Sequence, residues 1–288
     1  MRPKRVHFHV NALKPRAKAA HKALAALLPH FGLSLSENGG DADIVIALGG
    51  DGTILKAAKL NPSKPVVGFN LGGLGYLASV ERRDFKKALA MIAEGRYKIS
   101  KRTMLEAVKP GDGKSRAVAL NDIVLMRELS GHAAVLDLAV DGKCAARYFA
   151  DGLVFATPTG STAYSLSAGG PVLMPDSASF VVTPMNPHAL GIRPIVLSDE
   201  VAITVTTRSR DEGRGGRIGV YADGENAIML DDDGTVEIRR AHECALMVEL
   251  DGYSPYEVLS RKLGWTDARV RLPARGGIGI ISRNGQEN

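Results

Sequence analysis

Five consecutive apolar residues, Ile44-Val45-Ile46-Ala47-Leu48, run directly into Gly49-Gly50-Asp51-Gly52-Thr53 and on into Ile54-Leu55-Lys56-Ala57-Ala58-Lys59-Leu60. An unbroken apolar run of this length, ended by glycine, predicts a buried strand. Beyond the glycines, the chain from about Thr53 to Leu60 reads as a helix. A strand followed at once by a helix is one step of the alternation that points to a parallel α/β sheet. The glycines let the chain turn sharply and let a ligand come close to the backbone. The first turn of a helix offers unpaired N–H groups and the positive end of its dipole, which suits an anion. Asp51 puts a carboxylate there instead. It can serve as a proton acceptor, hold a metal beside a phosphate or, since Asp is a favoured N-cap, simply start the helix. The run is neither a Walker A loop nor a Gly-x-Gly-x-x-Gly dinucleotide fingerprint.

Strands and helices alternate through the first hundred residues. Val6–Val10 and Val66–Phe69 read as strands and Lys14–Leu28 as an alanine-rich helix. Phe85, Ala88, Leu89 and Ile92 recur at helical spacing within Arg82–Glu94. From about residue 101 the period falls to two. Val201, Ile203 and Val205 alternate with Ala202, Thr204 and Thr206, and Val236 and Ile238 with Glu237 and Arg239. The expected fold is an α/β N-terminal domain with a parallel, Rossmann-like sheet over residues 1–100, then a β-rich, sandwich-like domain over 101–254. A helix at Pro255–Leu263 is expected to return to the first domain, so that about 255–265 joins it. The Gly-rich tail 275–288 is expected to be flexible. A length of 288 residues accommodates two such domains. Ligands on parallel sheets bind beyond the carboxyl ends of the strands, where Asp51 falls.

A net charge of +6 favours anionic ligands. Aromatic residues are only 5% of the chain, and no basic helix carries interleaved aromatics, so nucleic acid is not an expected partner. The densest basic stretch, Arg208–Arg217, also holds Asp211, Glu212 and three glycines and reads as a solvated hairpin loop. No apolar stretch is long enough to cross a membrane, and the first residues lead into a short strand rather than a signal segment. Cys144 and Cys244 form no disulfide framework and no metal-ligand spacing, which suits a cytoplasmic location. Asp231-Asp232-Asp233-Gly234 lacks the alternation of a calcium loop and reads as a turn.

Two further segments carry polar side chains in apolar surroundings. Asp151-Gly152-Leu153-Val154-Phe155-Ala156 reads as a strand opening into Thr157-Pro158-Thr159-Gly160-Ser161-Thr162-Ala163-Tyr164 and a short helix to Ser167. A stiff, hydroxyl-rich loop at a helix start suits a ligand with hydroxyls and phosphates, and equally suits capping. In Leu120-Asn121-Asp122-Ile123-Val124-Leu125 an amide and a carboxylate interrupt a strand. The pair can read a base edge or a ribose, or mark a turn or bulge.

Together these segments resemble the NAD kinase family. The resemblance rests on Gly49–Thr53, Asn70-Leu71-Gly72-Gly73-Leu74-Gly75-Tyr76-Leu77, Leu120–Asp122 and Asp151–Tyr164. It extends through Thr183-Pro184, Pro187-His188-Ala189-Leu190, Arg193-Pro194, Asp223-Gly224, Tyr256-Glu257-Val258-Leu259 and Leu263-Gly264-Trp265. The Gly-Gly-Asp-Gly turn is shared with lipid kinases and, more loosely, phosphofructokinases; its combination with the Thr-Pro-Thr-Gly-Ser-Thr-Ala-Tyr loop is far more specific. The resemblance implies transfer of the ATP γ-phosphoryl group to the 2′-hydroxyl of the adenosine ribose of NAD, with Mg²⁺ on the donor phosphates. It makes Asp51 the proton acceptor and part of the NAD site, with Gly52 allowing close approach. Asn121 and Asp122 match the pair that holds the nicotinamide nucleotide. Asp151, Thr162, Ala163, Tyr164, Ser165, Leu166 and Ser167 match the loop around adenine and ribose, and Tyr76 offers a stacking face. Lys56 could reach a phosphate or stand as a plain surface lysine. Asp223 and Asn226 come from a variable hairpin. The acidic member of the pair is often Glu in relatives; Asp122 is one methylene shorter and keeps the carboxylate. The resemblance also implies a homo-oligomer, dimer or tetramer, binding NAD, NADP and ATP. A lipid or sugar-phosphate kinase would leave the Asp151–Ser167 loop unexplained, and a non-catalytic NAD or NADP sensor would have no use for Asp51.

Overall fold

The computed structural model describes residues 2–11, 14–72, 75–77, 80–111, 115–128, 133–208 and 217–265. Its strands are β1 (Arg5–Val10), β2 (Ser34–Leu35), β3 (Ile44–Leu48), β4 (Pro65–Asn70), β5 (Val80–Glu81), β6 (Tyr97–Val108), β7 (Arg116–Ala119), β8 (Asp122–Arg127) and β9 (Ala134–Val140). They continue with β10 (Lys143–Ala150), β11 (Gly152–Ala156), β12 (Ser179–Met185), β13 (Ile195–Ser198), β14 (Ile203–Arg208), β15 (Ile218–Ala222), β16 (Glu225–Leu230) and β17 (Thr235–Leu250). The α-helices are α1 (Pro15–Leu27), α2 (Asp51–Leu60), α3 (Phe85–Glu94), α4 (Tyr164–Ser167) and α5 (Pro255–Leu263). Met1–Tyr253 form one compact unit and Ser254 onward another.

The apolar run Ile44–Leu48 is β3, buried at every position. It pairs in parallel with β1 and β4, and the local order is β4-β3-β1-β2. Helices cover both faces of these strands, as a run without polar relief requires. On one face Leu24 of α1 and Phe85, Leu89 and Ile92 of α3 meet Val6, Phe8, Ile44, Ile46 and Leu48. On the other, Ile54, Ala57 and Ala58 of α2 meet Val45 and Ala47. α3 begins at Phe85 behind a single 3₁₀ turn, Arg82–Asp84, and stops where Gly95 adopts φ 75°.

β17 runs for 16 residues and serves two kinds of neighbour. Leu246 and Met247 lie parallel to β4, while Thr235–Ile238 lie antiparallel to β14. β6 follows it antiparallel along most of its length, with an irregularity between Arg240 and Cys244. Among the described residues this makes an 11-stranded mixed sheet, and a 6-stranded antiparallel sheet of order β13-β12-β11-β8-β15-β16 faces its antiparallel part. Period-two strands send alternate side chains into the space between sheets. Leu105, Leu136, Ile203, Val236 and Ile238 from one side meet Ile123, Leu125, Phe155, Val182 and Val220 from the other in one core. The parallel α/β region and the β-sandwich are thus both present, as the change of period predicts.

In the second unit, α5 carries its own start and stop. Ser254 Oγ accepts the Glu257 N–H at 3.4 Å, Pro255 occupies the first helical position, and Gly264 closes the helix at φ 63°. Residues 209–216 of the basic hairpin, Gly73 and Leu74, and the tail 275–288 lie outside the described residues, as does the side chain of Asn226.

Candidate active site

β1 leads through α1 to β2 on one side, and β3 through α2 to β4 on the other, so the crossovers diverge at the β1–β3 boundary. Such a switch point leaves a crevice beyond the carboxyl ends of the strands. Gly49, Gly50 and Asp51 stand there. The helix starts two residues before the sequence pattern suggests: Gly50 is the cap, and Asp51 opens the first turn. Asp51 therefore does not cap its own helix. Its carboxylate reaches a separate loop, where Tyr76 N–H donates to Oδ2 at 2.6 Å and Leu77 N–H to Oδ1 at 3.1 Å. Gly75 lies against the same carboxylate: an added Cβ would collide with Oδ1 and stand 2.8 Å from Cγ. By contrast, among the described residues a Cβ at Gly52 would meet nothing within 4 Å, and the residue is exposed. The Tyr76 hydroxyl is held above its ordinary pKa by burial and then by the charge of Asp51. Lys56 is exposed on the outer face of α2; its charge, after burial and His7, helps hold His9 below the ordinary imidazole range.

A second acidic segment is reached through the underside of α2. Leu120 belongs to the same apolar cluster as Ile54, Ala57, Ala58 and Leu77, so α2 and the start of β8 pack on one another. The turn between β15 and β16 places Asp223, with φ 49°, beneath this segment. Its Oδ2 accepts the Leu120 N–H at 3.0 Å, and its Oδ1 accepts the N–H groups of Asn121 at 2.8 Å and Asp122 at 3.2 Å. Lys59 Nζ approaches Asp223 Oδ2 at 3.2 Å. Asp122 is buried beside this pair, only 6% exposed. Burial first and the Asp223 charge second push its carboxyl up to about 7, with Lys59 opposing them.

The hydroxyl-rich loop joins the same place. β11 ends where Ala156 pairs with Asp122, and Thr157 N–H donates to the Asn121 carbonyl at 2.9 Å. Gly160 lies on Asn121 so closely that an added Cβ would be 2.6 Å from the Asn121 Cα. The loop's hydroxyls divide into two groups. Thr157 Oγ1 donates to the Leu120 carbonyl at 2.6 Å, Ser161 Oγ donates to the Pro158 carbonyl at 2.7 Å and accepts the Leu173 N–H at 2.9 Å, and Ser165 Oγ meets Thr183 Oγ1 at 2.8 Å. All three are fully buried. Tyr164 and Ser167 face solvent, with Thr162, Ala163 and Leu166 partly exposed between them. Asp151 is not brought to this end. It precedes the opposite end of β11, where Gly152 pairs with Met126, and its carboxylate accepts from Asn186 Nδ2 at 2.8 Å. The backbone of Asn226 pairs with Tyr221.

Lys59, Gly75 and Gly160 are the contributors that pattern reading passes over as site residues. A lysine near a helix end and a glycine in a loop carry no local mark of their partners at residues 223, 51 and 121. His188, within the resembling segments, packs its ring edge on Phe149 at 4.4 Å. Asp231–Gly234 form the turn between β16 and β17, with Asp233 bonded to Arg208 at 2.8 Å. Among the described residues no three His, Cys, Asp or Glu side chains gather as a metal cage.

Residues 31–97 match the ATP-NAD kinase N-terminal domain and residues 120–250 the ATP-NAD kinase C-terminal domain. The NAD kinase of Symbiobacterium thermophilum is 40% identical over 252 residues, 85% of this chain and 88% of that protein. That of Syntrophotalea carbinolica is 37% identical over 230 residues, 78% and 79% of the two chains. Among solved structures, yeast NADH kinase complexed with NADH superposes with a TM-score of 0.78 at 26% identity, covering 95% of this chain and 91% of that one. An NAD kinase from Archaeoglobus fulgidus in complex with ATP gives 0.72, also at 26% identity, over 93% and 100%.

Proposed function

The chain belongs to the ATP-NAD kinase family, and on that premise we propose that Asp51 is the base that receives the proton of the NAD 2′-hydroxyl. The enzyme uses ATP to phosphorylate NAD to NADP. The observation that carries the proposal is the placement of Asp51. It is the acid at the helix start beyond the carboxyl end of β3, oriented by two backbone N–H groups, with Gly52 exposed beside it. A carboxylate has about four acceptor positions, so two N–H donors leave room for a hydroxyl proton. In a loose phosphoryl-transfer transition state the protein mainly positions the groups and stabilises charge. The N–H groups that open α2, ahead of Thr53 whose N–H already donates to the Gly50 carbonyl at 2.9 Å, lie at Asp51 and Gly52 and suit the donor phosphates.

Asn121 and Asp122 are the polar groups for the nicotinamide nucleotide, and Thr162, Ala163, Tyr164, Leu166 and Ser167 border adenine and ribose. Support comes from the convergence of β8, β11 and the following loop at one end of the sheet. Tyr76 adds a ring beside Asp51, and Lys56 an exposed cation on the same helix. Ser165, turned onto Thr183, contributes through the backbone. The roles of Asp151 and Asn226 rest on the resemblance alone.

The donor set fits Mg²⁺ brought in on phosphates with at most a carboxylate from the protein, the usual habit of that ion. When bound, Mg²⁺ neutralises charge on the transferring phosphoryl group. The reading includes a cytoplasmic enzyme: among the described residues no helix is long and apolar enough to cross a membrane, and Cys144 and Cys244 are free. It also includes a dimer or tetramer, supported by Leu190, Ile195 and Val196, which expose apolar surface at and beside the edge strand β13. Size-exclusion chromatography with light scattering reads that state, and a monomer at micromolar concentration removes it.

The test of function is NADP formation from NAD, ATP and Mg²⁺, followed with an NADP-specific dehydrogenase. Turnover that disappears in Asp51→Asn, with NAD still bound, is the expected result. Unchanged turnover in that variant removes Asp51 as the base. Tight NAD or NADP binding without wild-type turnover points to a sensor instead.

A further inference from the structure

Lys59 and Asp223 are separated by 164 positions in the chain and meet at 3.2 Å where α2 ends. Asp223 is 3% exposed at its side chain, and its two oxygens hold three successive N–H groups, those of Leu120, Asn121 and Asp122. The exchange is reciprocal, because the Asp223 N–H donates to the Asp122 carbonyl at 3.0 Å. Lys59 Nζ also lies 3.4 Å from the Ala222 carbonyl. The last turn of α2 is thereby tied to the β15–β16 turn, and through it to the first residues of β8. Asp223 is buried and Lys59 is one-quarter exposed, so removing Lys59 leaves a buried carboxylate without its counter-charge, held only by the three N–H groups. Mere closure of a β-turn does not require the ion pair.

We propose that Lys59 and Asp223 are positioning residues for NAD, fixing Asn121 and Asp122 against the helix whose other end carries Asp51 and controlling NAD affinity from outside the ligand contact. The proposal rests on the reading of Asn121 and Asp122 as nucleotide contacts. Two charged groups act on the Asp122 carboxyl from the elements packed against it, Asp223 from the β15–β16 turn and Lys59 from α2. They act in opposite senses: Asp223 opposes ionisation of Asp122, and Lys59 favours it. As a carboxylate, Asp122 accepts hydrogen bonds from ligand hydroxyls; when protonated it loses part of that capacity. NAD affinity therefore weakens as pH falls through the Asp122 titration, and the two positioning residues set where that happens.

The experiment uses the full chain and its Lys59→Met, Lys59→Arg, Asp223→Asn and Asp122→Asn variants. KM for NAD and kcat are measured from pH 5.5 to 8.5, beside an NMR titration of carboxyl-labelled aspartate. Lys59→Met is expected to raise KM for NAD about tenfold at pH 7 with kcat changed less than about threefold, a loss near 1.4 kcal/mol of binding. Lys59→Arg restores most of it. The acid limb of the KM profile and the Asp122 NMR titration move to higher pH in Lys59→Met and to lower pH in Asp223→Asn. Shifts in the same direction, or none, overturn the proposal. So does a loss confined to kcat, or a KM loss that Lys59→Arg fails to rescue. An unchanged KM in Asp122→Asn refutes the nucleotide-contact reading by itself. If the NMR titrations then still move oppositely while KM does not follow, Lys59 and Asp223 tune Asp122 without positioning NAD, and the proposal falls separately.

Discussion

Asp51 stands partly exposed at the start of α2, with neutral N–H donors from Tyr76 and Leu77 on its oxygens. Asp122 begins β8 nearly closed to solvent, with the Asp223 carboxylate as its neighbour and Lys59 beyond. Both are short acids at a junction of strand and loop, and the fold controls them by different means. Backbone dipoles orient Asp51 without adding a counter-charge, which suits the proposed base. Burial and two opposed charges set Asp122, which suits the proposed nucleotide contact. One acid is governed by geometry, the other by electrostatics.

The comparison breaks first at Asp51. Asp51→Asn is expected to lower kcat by roughly two to four decades while KM for NAD changes little. A parallel loss in NAD affinity would make Asp51 a binding group like Asp122. Next comes Gly75→Ala, which forces a methyl group against the Asp51 carboxylate. Misplacing a catalytic group by about 1 Å can cost about a hundredfold, so kcat should fall roughly ten- to hundredfold in steady-state assays. Full activity would mean that the loop yields and that its N–H groups do not orient the base.

Asp122 makes the contrast quantitative through pH. Its carboxyl is raised from the ordinary 3.8 to about 7, so between those values the folded protein keeps a proton that the unfolded chain has lost. The Asp122 contribution to stability is therefore fully present below about pH 4 and lost as pH rises toward 7, by at most about 1.4 kcal/mol per pH unit. Urea unfolding at pH 4.5 and 7.5 should show a smaller difference between wild type and Asp122→Asn at the lower pH than at the higher. A constant difference would mean that Asp122 is ionised normally. The smallest effect belongs to Ser161→Ala. Removal of its buried hydroxyl should cost about 1–2 kcal/mol of stability, with KM for NAD unmoved. A rise in KM without a fall in stability would transfer Ser161 from scaffold to ligand contact.

Much of the architecture is legible in local pattern. Ile44–Leu48 reads as a buried strand, which it is, and Pro255–Leu263 begins and ends where Pro and Gly mark it. The start of α2 was less legible, because glycines hide the first turn from any periodicity and place Asp51 inside the helix rather than before it. β6 carries little alternation through Lys98, Ser100, Lys101 and Arg102, because most of this stretch is open to solvent and its one buried side chain, Arg102, is an ion-pair partner of Glu249. At the site, the acid at residue 51 and the pair at 121–122 stood out as polar groups where apolar ones belong. The hydroxyl loop was harder to divide, because Thr157, Ser161 and Ser165 differ from Thr162 and Ser167 only in which way the folded loop turns them.

The sequence by itself determined the buried parallel strand, the sharp glycine turn with its acid, the change from helical to twofold period, and the family the chain belongs to. These depend on residues that are neighbours in the chain or on motifs read in order. Tertiary structure alone decided that Gly75 shapes the space around Asp51, that Lys59 answers Asp223, and that the Asp122 carboxyl is held near neutrality. Each of those depends on groups tens to more than a hundred positions apart, and burial and Coulomb forces act on distance in space, which only the packed sheets establish.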